Sequence, residues 1–258
     1  MPFSIIVVNY NTKNLLKHCL NSIIKNFNKD DYEIIIVDNS SQDGSVEMLK
    51  NNFGDRIKLI VNNKNIGFGP ANNLGASRAQ GKYLFFLNSD TITKSDILAP
   101  LKKFLNNSRE VGVIGPKLVL ADRTEQPYAH GKFPNLLNVI IGKLKKLTVK
   151  SGKPFEVDWV SGAALIIRND IFNQAGGFDE KFFMYFEDID LCKRVKDLGY
   201  KVMVYSEVEL IHLGGRSLSE LNQRKRYYYK AQDYFYKKHY GLLIMNLMKF
   251  IRWPYRII

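Results

Sequence analysis

The sequence predicts an α/β protein: a mostly parallel, twisted sheet flanked by helices, with a helical extension at its C-terminal end. Three observations predict it. Short apolar runs alternate with helical stretches through the first hundred residues. Each of those runs stops in acids, amides or hydroxyls. Residues 224–240 then interleave basic and aromatic side chains, and 241–253 follow with the pattern of a helix, within an extension over 218–258.

The runs are SIIVV (4–8), YEIIIV (32–37), IKLIV (57–61) and KYLFFL (82–87), which fit strands buried on both faces of a parallel sheet. Helical patterns lie between them at about 13–27, 43–52 and 70–80, giving the strand–helix–strand order of right-handed crossovers. A helix near 95–106 and a strand near 111–115 follow. Residues 121–154, with Pro127 and Pro134, show no period and read as an excursion. The stretch VDWVSGAALIIR (157–168) resumes as strand, a helix begins near Glu187, and YKVMVY (200–205) and VELIHL (208–213) read as two strands. With no repeat or linker, one domain over 1–217 with an extension over 218–258 is expected.

Composition narrows the class. Hydrophobic residues at 45% and charged residues at 24% are ordinary for a globular domain. No apolar run is long enough to span a bilayer, and the chain enters SIIVV without a basic leader, so neither a membrane span nor a signal peptide is expected. Cys19 and Cys192 sit in apolar helical patterns and read as buried hydrophobes, which fits a reducing cytoplasm. The net charge of +13 points to an anionic partner. From Leu213 to Ile258 there are ten Lys or Arg against Glu220 and Asp233, so the tail holds most of that excess.

Ligands of open parallel sheets bind beyond the carboxyl ends of the strands. Here those ends read Asn9-Tyr10-Asn11, Asp38-Asn39-Ser40-Ser41, Asn62-Asn63 and Asn88-Ser89-Asp90. Turns favour the same residue types, but four such endings on one edge make a polar cleft. The first strand-to-helix turn, VNYNTKN, has no glycine, and NIGFGPANNLG (65–75) follows the third strand and lacks a Lys-Ser/Thr ending. Neither a dinucleotide fingerprint nor a P-loop is present. Asp90 suits a hard divalent cation or, equally, a helix N-cap. His212 ends its own strand and either reaches the cleft or is structural. In FEDIDLC (186–192), Glu187 and Asp190 fit the first turn of a helix. The aromatics before them suit a carboxylate of raised pKa, a better base, and Asp188 lies near the buried face set by Leu191, Val195 and Leu198.

The stretches VNYN, VDNSSQDGS, NIGFGPANNLG, LNSDT, WVSGAALIIR, GGFDEKFFMYFEDIDLCKR and IHLGGRS, running from residue 7 to 217, carry a family resemblance. The chain resembles the family 2 glycosyltransferases of the GT-A fold, a Rossmann-like architecture, above all their rhamnosyltransferase-like branch. The resemblance implies inverting transfer of one sugar from a nucleotide-diphosphate donor, dTDP- or UDP-linked, to a hydroxyl of a glycan or lipid-linked precursor, with Mg²⁺ or Mn²⁺. It implies that Tyr10 and Asp38 meet the nucleotide base and that Asn65, Gly67 and Asn72 shape the donor pocket. Asn88-Ser89-Asp90 stands in for an Asp-x-Asp signature, with Asp90 on the metal and Asn88 near the ribose. His212 is a further metal or diphosphate contact, Arg216 helps the leaving diphosphate, and Trp159 shapes the acceptor site. Asp188 matches the general base, with Glu187 beside it. Asparagine at 88, where many members have aspartate, brings no charge to the metal.

Two rivals accompany this reading. One is a catalytically silent module that binds sugar nucleotides or glycans on the same fold. The other is a nucleic-acid-binding protein, which rests on charge alone; nucleic acid is not the expected partner. In the tail, GLLIMNLMKFIRW (241–253) as a helix gathers Asn246, Lys249 and Arg252 on one polar arc, ends at Pro254, and has Trp253 and Tyr255 suited to an interface. It reads equally as an in-plane helix on the inner face of an anionic membrane and as a helix packed on the domain or a second subunit.

Overall fold

The computed structural model describes residues 1–134, 152–214 and 221–256. Arg216 and the 217/218 boundary of the expected extension lie outside the described residues, as do the side chains of Trp253 and Tyr255.

Four apolar runs become parallel strands: β1 (Phe3–Asn9), β2 (Tyr32–Asp38), β3 (Lys58–Val61) and β4 (Tyr83–Asn88), with β1 between β2 and β4. Helices α1 (Lys13–Asn26), α2 (Ser45–Phe53) and α3 (Phe68–Ala76) connect them. β1 shows why the run folds this way. Phe3, Ile5 and Val7 face a core built with Leu16 and Leu20 of α1 and Leu49 of α2. Ile6 faces the opposite core with Ile35, Leu84 and Phe86. Both faces are covered, so no polar alternation is needed. β3 departs from the expectation of full burial. It is the edge strand, and its residues are half-buried or exposed.

Beyond β4 the sheet is mixed. Its order is β3-β2-β1-β4-β10-β6-β11-β5, where β5 is Thr91–Ile92, β6 Val111–Val119, β10 Ala164–Arg168 and β11 Lys201–His212. β10 runs antiparallel to both β4 and β6, and β11 is parallel to β6 and antiparallel to β5. The stretch expected as one strand over 157–168 divides. β8 (Phe155–Val157) pairs with β11, while β9 (Trp159–Val160) leaves the main sheet to pair with β7 (His130–Gly131). The two strands expected over 200–213 are one strand, whose register with β6 shifts between Tyr205 and Glu209 opposite Pro116. A proline has no N–H for the ladder, so pairing breaks there.

Helix α4 (Leu98–Asn107) covers the first core, and α5 (Asn169–Gln174) and α6 (Glu187–Asp197) cover the second. Cys19 and Cys192 are buried and free, and burial pushes the Cys19 thiol up to about 12. α7 (Leu221–Arg256) kinks at Gly241, whose φ is 85°. Its first arm packs Phe235 against Phe182 and Phe186. Its second arm corrects the expected polar arc: Arg252 is buried and pairs with Gln232 and Asp233. Nor does Pro254 end the helix, which runs on to Arg256; near a C-terminus the missing N–H removes few bonds. No described helix is long and apolar enough to cross a membrane.

Candidate active site

Because β1, β2 and β4 are parallel, Asn9, Asp38 and Asn88 end on one edge of the sheet. The antiparallel strands bring other segments to that edge. Asn88 donates its N–H to Ala163 O at 3.0 Å, which sets the 161–163 turn beside it. His212 pairs with Thr91, and the Leu213 N–H reaches Asp90 O at 3.0 Å. A cleft of about 960 Å³ opens there, within the range of small-ligand sites.

Of the residues singled out from sequence, Tyr10, Asn65, Gly67, Asn88, Asp90, Trp159, Glu187, Asp188 and His212 all line this cleft. Asp38 and Asn72 are not brought into it. Asp38 is fully buried below, with Asn9 Nδ2 at 2.7 Å from Oδ2 and the Ser41 N–H at 2.8 Å from Oδ1, so it ties the β1 and β2 loops together. Asn72 is buried within α3, where its Nδ2 donates to Phe68 O at 3.0 Å. Gly67 has φ of 96°, and a Cβ there would lie 2.6 Å from Phe183 O. The Phe68 N–H donates to that same oxygen at 2.8 Å, so the 65–68 loop rests directly on backbone and only glycine fits.

Asp90 does not cap a helix. α4 starts at Leu98, and the Asp96 carboxylate accepts the Leu98 N–H at 2.9 Å. Asp90 Oδ1 instead lies 3.1 Å from His212 Nε2. The other ring nitrogen, Nδ1, sits 2.8 Å from Gln126 Oε1, which can only accept, so Nδ1 carries the hydrogen. Nε2 then faces Asp90 Oδ1 and also lies 3.3 Å from Asn88 Nδ2, an amide that can donate to it; a cation seated between Nε2 and Asp90 would take the place of that bond. The Gln126 bond is the second-partner geometry of metal-binding histidines. Asp90 and His212 thus fit a hard divalent ion that would take its remaining ligands from other oxygen donors. The described residues hold no cluster of three or more His, Cys, Asp or Glu that would cage a metal on protein groups alone.

On the facing wall, α6 begins after two residues in left-handed backbone, Tyr185 (φ 70°) and Phe186 (φ 67°). Such a conformation costs about 1–3 kcal/mol per residue. The first arm of α7 over-determines it: the Tyr228 ring meets Tyr185 and Phe186 edge-on at 5.8 and 5.3 Å. The turn aims the first acids of α6 at the cleft. Asp188 is half-buried, with its Oδ2 accepting the Gly162 N–H and its Oδ1 the Ile189 N–H, both at 2.8 Å. Burial raises its carboxyl above the ordinary value, against the pull of those two bonds. Glu187 is buried, and its Oε2 finds no hydrogen-bond partner among the described residues. Burial first, then the Asp188 charge, hold its carboxyl well above the usual range. Asp190 faces away from both. It is fully buried among Arg194 Nε (2.9 Å), Lys238 Nζ (2.7 Å) and His239 Nε2 (2.7 Å), so it pins α6 to α7.

Sequence reasoning missed Gln126, Gly162, Tyr228 and Gln232, all of which line the cleft. Gln126 lies in the aperiodic excursion and arrives because its N–H bonds Leu118 O at 3.0 Å. Gly162 contributes a backbone N–H, which no side-chain pattern announces. Tyr228 and Gln232 come from the basic, aromatic tail, whose composition pointed elsewhere.

The chain is 29% identical over 228 residues to rhamnosyltransferase WbbL of Escherichia coli (strain K12), covering 81% of this chain and 82% of that protein. It is 25% identical over 205 residues to the N-acetylglucosaminyl-diphospho-decaprenol L-rhamnosyltransferase of Mycobacterium tuberculosis, covering 69% of this chain and 66% of that one. Its fold is the GT-A type, shared with the mannosyltransferase PcManGT of Pyrobaculum calidifontis in complex with GDP-Man and Mn²⁺. The TM-score is 0.67 at 17% identity, over 92% of this chain and 63% of that one. The family described as glycosyl transferase family 2 matches residues 4–173, more than half of the sequence. The chain therefore belongs to glycosyl transferase family 2, within its rhamnosyltransferase-like branch.

Proposed function

We propose that this glycosyltransferase moves one L-rhamnose, with inversion, from a dTDP- or UDP-linked donor to a hydroxyl of a cell-surface glycan or lipid-linked glycan precursor. The observation that carries the reading is that the half-buried Asp188 carboxylate shares one cleft with the Asp90–His212 pair. The names of the bacterial relatives support rhamnose, and the decaprenol-linked name of one supports a lipid-linked acceptor. The GDP-Man and Mn²⁺ of the structural neighbour support a nucleotide sugar and a divalent ion.

In this reading Tyr10, Asn65, Gly67 and Asn88 border the nucleotide half of the cleft, with Asp38 and Asn72 fixing the loops beneath. Asp90 and His212 would hold Mg²⁺ or Mn²⁺, with Gln126 setting the histidine tautomer. Such an ion would supply charge stabilisation for a departing diphosphate, a task in which the family resemblance also implies Arg216. Asp188 receives the acceptor hydroxyl. Its two backbone hydrogen bonds fix both oxygens yet leave each a lone pair. As the acceptor oxygen bonds to the anomeric carbon, its proton passes to Asp188. The bond from that carbon to the diphosphate breaks on the opposite face, and the diphosphate keeps the electron pair. Glu187 beside it is the carboxyl whose proton burial and the Asp188 charge hold more tightly. Trp159, whose Nε1 is committed to Lys132 O at 3.1 Å, presents its ring at the acceptor end.

Asp188→Asn tests the assignment. Donor binding should be retained while transfer falls by about 10²–10⁴-fold. A variant that transfers sugar at the wild-type rate would overturn it. The silent binding module predicts donor binding with neither transfer nor donor hydrolysis by the wild-type chain in Mn²⁺.

A further inference from the structure

The second arm of α7 has two faces of unexpected kind. Its inner face carries Met245 and Met248, buried with Tyr236, and the paired Arg252. The outer face of a surface helix is ordinarily polar. Here it carries Leu243, Leu247 and Phe250, which are 86%, 40% and 75% exposed, with Leu242 at its margin 57% exposed. Positions 243, 247 and 250 follow the i, i+4, i+7 spacing of one helical stripe, opposite the buried 245, 248 and 252. Single exposed apolar residues are common, but a contiguous stripe marks a surface with a partner.

Charge identifies that partner. Residues 221–256 hold nine Lys or Arg against one acid, Asp233, in a chain whose net charge is +13. Arg226, Lys230 and Lys237 are exposed along the first arm, close in sequence to the stripe. An apolar ridge on an arm that cannot span a bilayer, joined through the Gly241 kink to an arm with exposed cations, is what an anionic bilayer surface binds in plane. We propose that Leu243, Leu247 and Phe250 insert into the headgroup boundary of an anionic membrane, with the exposed Arg226, Lys230 and Lys237 of the first arm drawn to lipid phosphates. The same helix lines the cleft through Tyr228 and Gln232, so a docked protein carries its cleft on the element that touches the bilayer. Docking does not depend on the transfer reading, although a lipid-linked acceptor would give it a purpose.

The experiment is co-sedimentation of the full chain with vesicles of phosphatidylcholine, with and without phosphatidylglycerol, alongside a Leu243→Ser, Leu247→Ser, Phe250→Ser triple variant. The three residues are exposed, so thermal unfolding in the absence of lipid should be unchanged. The expected result is binding to phosphatidylglycerol vesicles that weakens with salt, and an affinity at least about tenfold lower in the triple variant. Equal binding of the two proteins overturns the proposal, as does equal binding to neutral and anionic vesicles. A wild type that ignores vesicles and sediments as a dimer, with a monomeric variant, also overturns it and makes the stripe a contact between copies. Sugar transfer to a water-soluble acceptor, read on both proteins, separates loss of docking from loss of catalysis.

Discussion

The Gly162 N–H donates to Asp188 Oδ2 at 2.8 Å, joining the turn before β10 to the first turn of α6. The bond fixes the carboxylate where β4 and β10 meet, because Asn88 is itself bonded to Ala163. The candidate base is thereby held by the same sheet edge that presents Asp90.

That placement predicts a pH profile. Burial raises the Asp188 carboxyl, and a base acts only when ionised. Transfer should therefore fall as pH drops through a value above the ordinary aspartate range, which is about 3.9. The pH dependence of kcat/KM measures it. An acid limb at or below the ordinary aspartate value would contradict the assignment, and the limb should vanish from the residual activity of Asp188→Asn.

Glu187 predicts the opposite kind of linkage, one of stability. Its carboxyl is raised in the folded protein, so the folded state binds the proton more tightly than the unfolded chain does. The stabilisation is complete below the unfolded value of about 4.3 and is lost as pH rises through the folded one. Glu187→Gln removes this titration. Relative to wild type, the variant should gain stability on going from acid to mildly alkaline solution, as read by urea midpoints across pH. A difference that stays constant with pH would show that Glu187 does not titrate this way.

Asp190 should behave as a structural anchor. Burial pushes its carboxyl up, but His239, Arg194 and Lys238 outweigh that and hold it below the usual range. Its contribution is present above about pH 3.9 and is lost as pH falls through the lowered value. Asp190→Ala leaves three cationic or polar partners without their acceptor and should cost about 3 kcal/mol in urea unfolding at neutral pH. A loss below about 1 kcal/mol would place the anchoring elsewhere.

Gln126 offers a test of the metal reading apart from turnover. Gln126→Leu frees His212 Nδ1 and with it the tautomer. Removing such a partner typically weakens metal binding by about 10–100-fold. Titration of Mn²⁺ followed by electron paramagnetic resonance, with donor present, reads this directly. Unchanged Mn²⁺ affinity would detach Gln126 from the site.

Much of the scaffold was legible because buried parallel strands leave a local trace. β1, β2 and β4 are continuous apolar runs, and their polar endings mark the edge where the cleft opens. The trace fails where pairing is non-local. Nothing within WVSGAALIIR says that Trp159 and Val160 pair with Gly131 and His130. The edge position of β3 depends on there being no further strand beside it, which no run of four residues encodes.

The sequence by itself determined the α/β class, the family and a set of site residues most of which do border the cleft, because strand periodicity and clustered polar endings are local properties of the chain. Only the tertiary structure decided how the FEDID acids divide. Asp188 meets the cleft with its two oxygens held by backbone N–H groups, Glu187 borders the cleft but keeps its Oε2 buried without a hydrogen-bond partner among the described residues, and Asp190 binds Lys238 and His239, 48 and 49 residues away. Three carboxylates on one helical turn look alike in sequence. Their surroundings come from α7, the 161–163 turn and the sheet edge, and it is burial and partner charge that set what a carboxylate does.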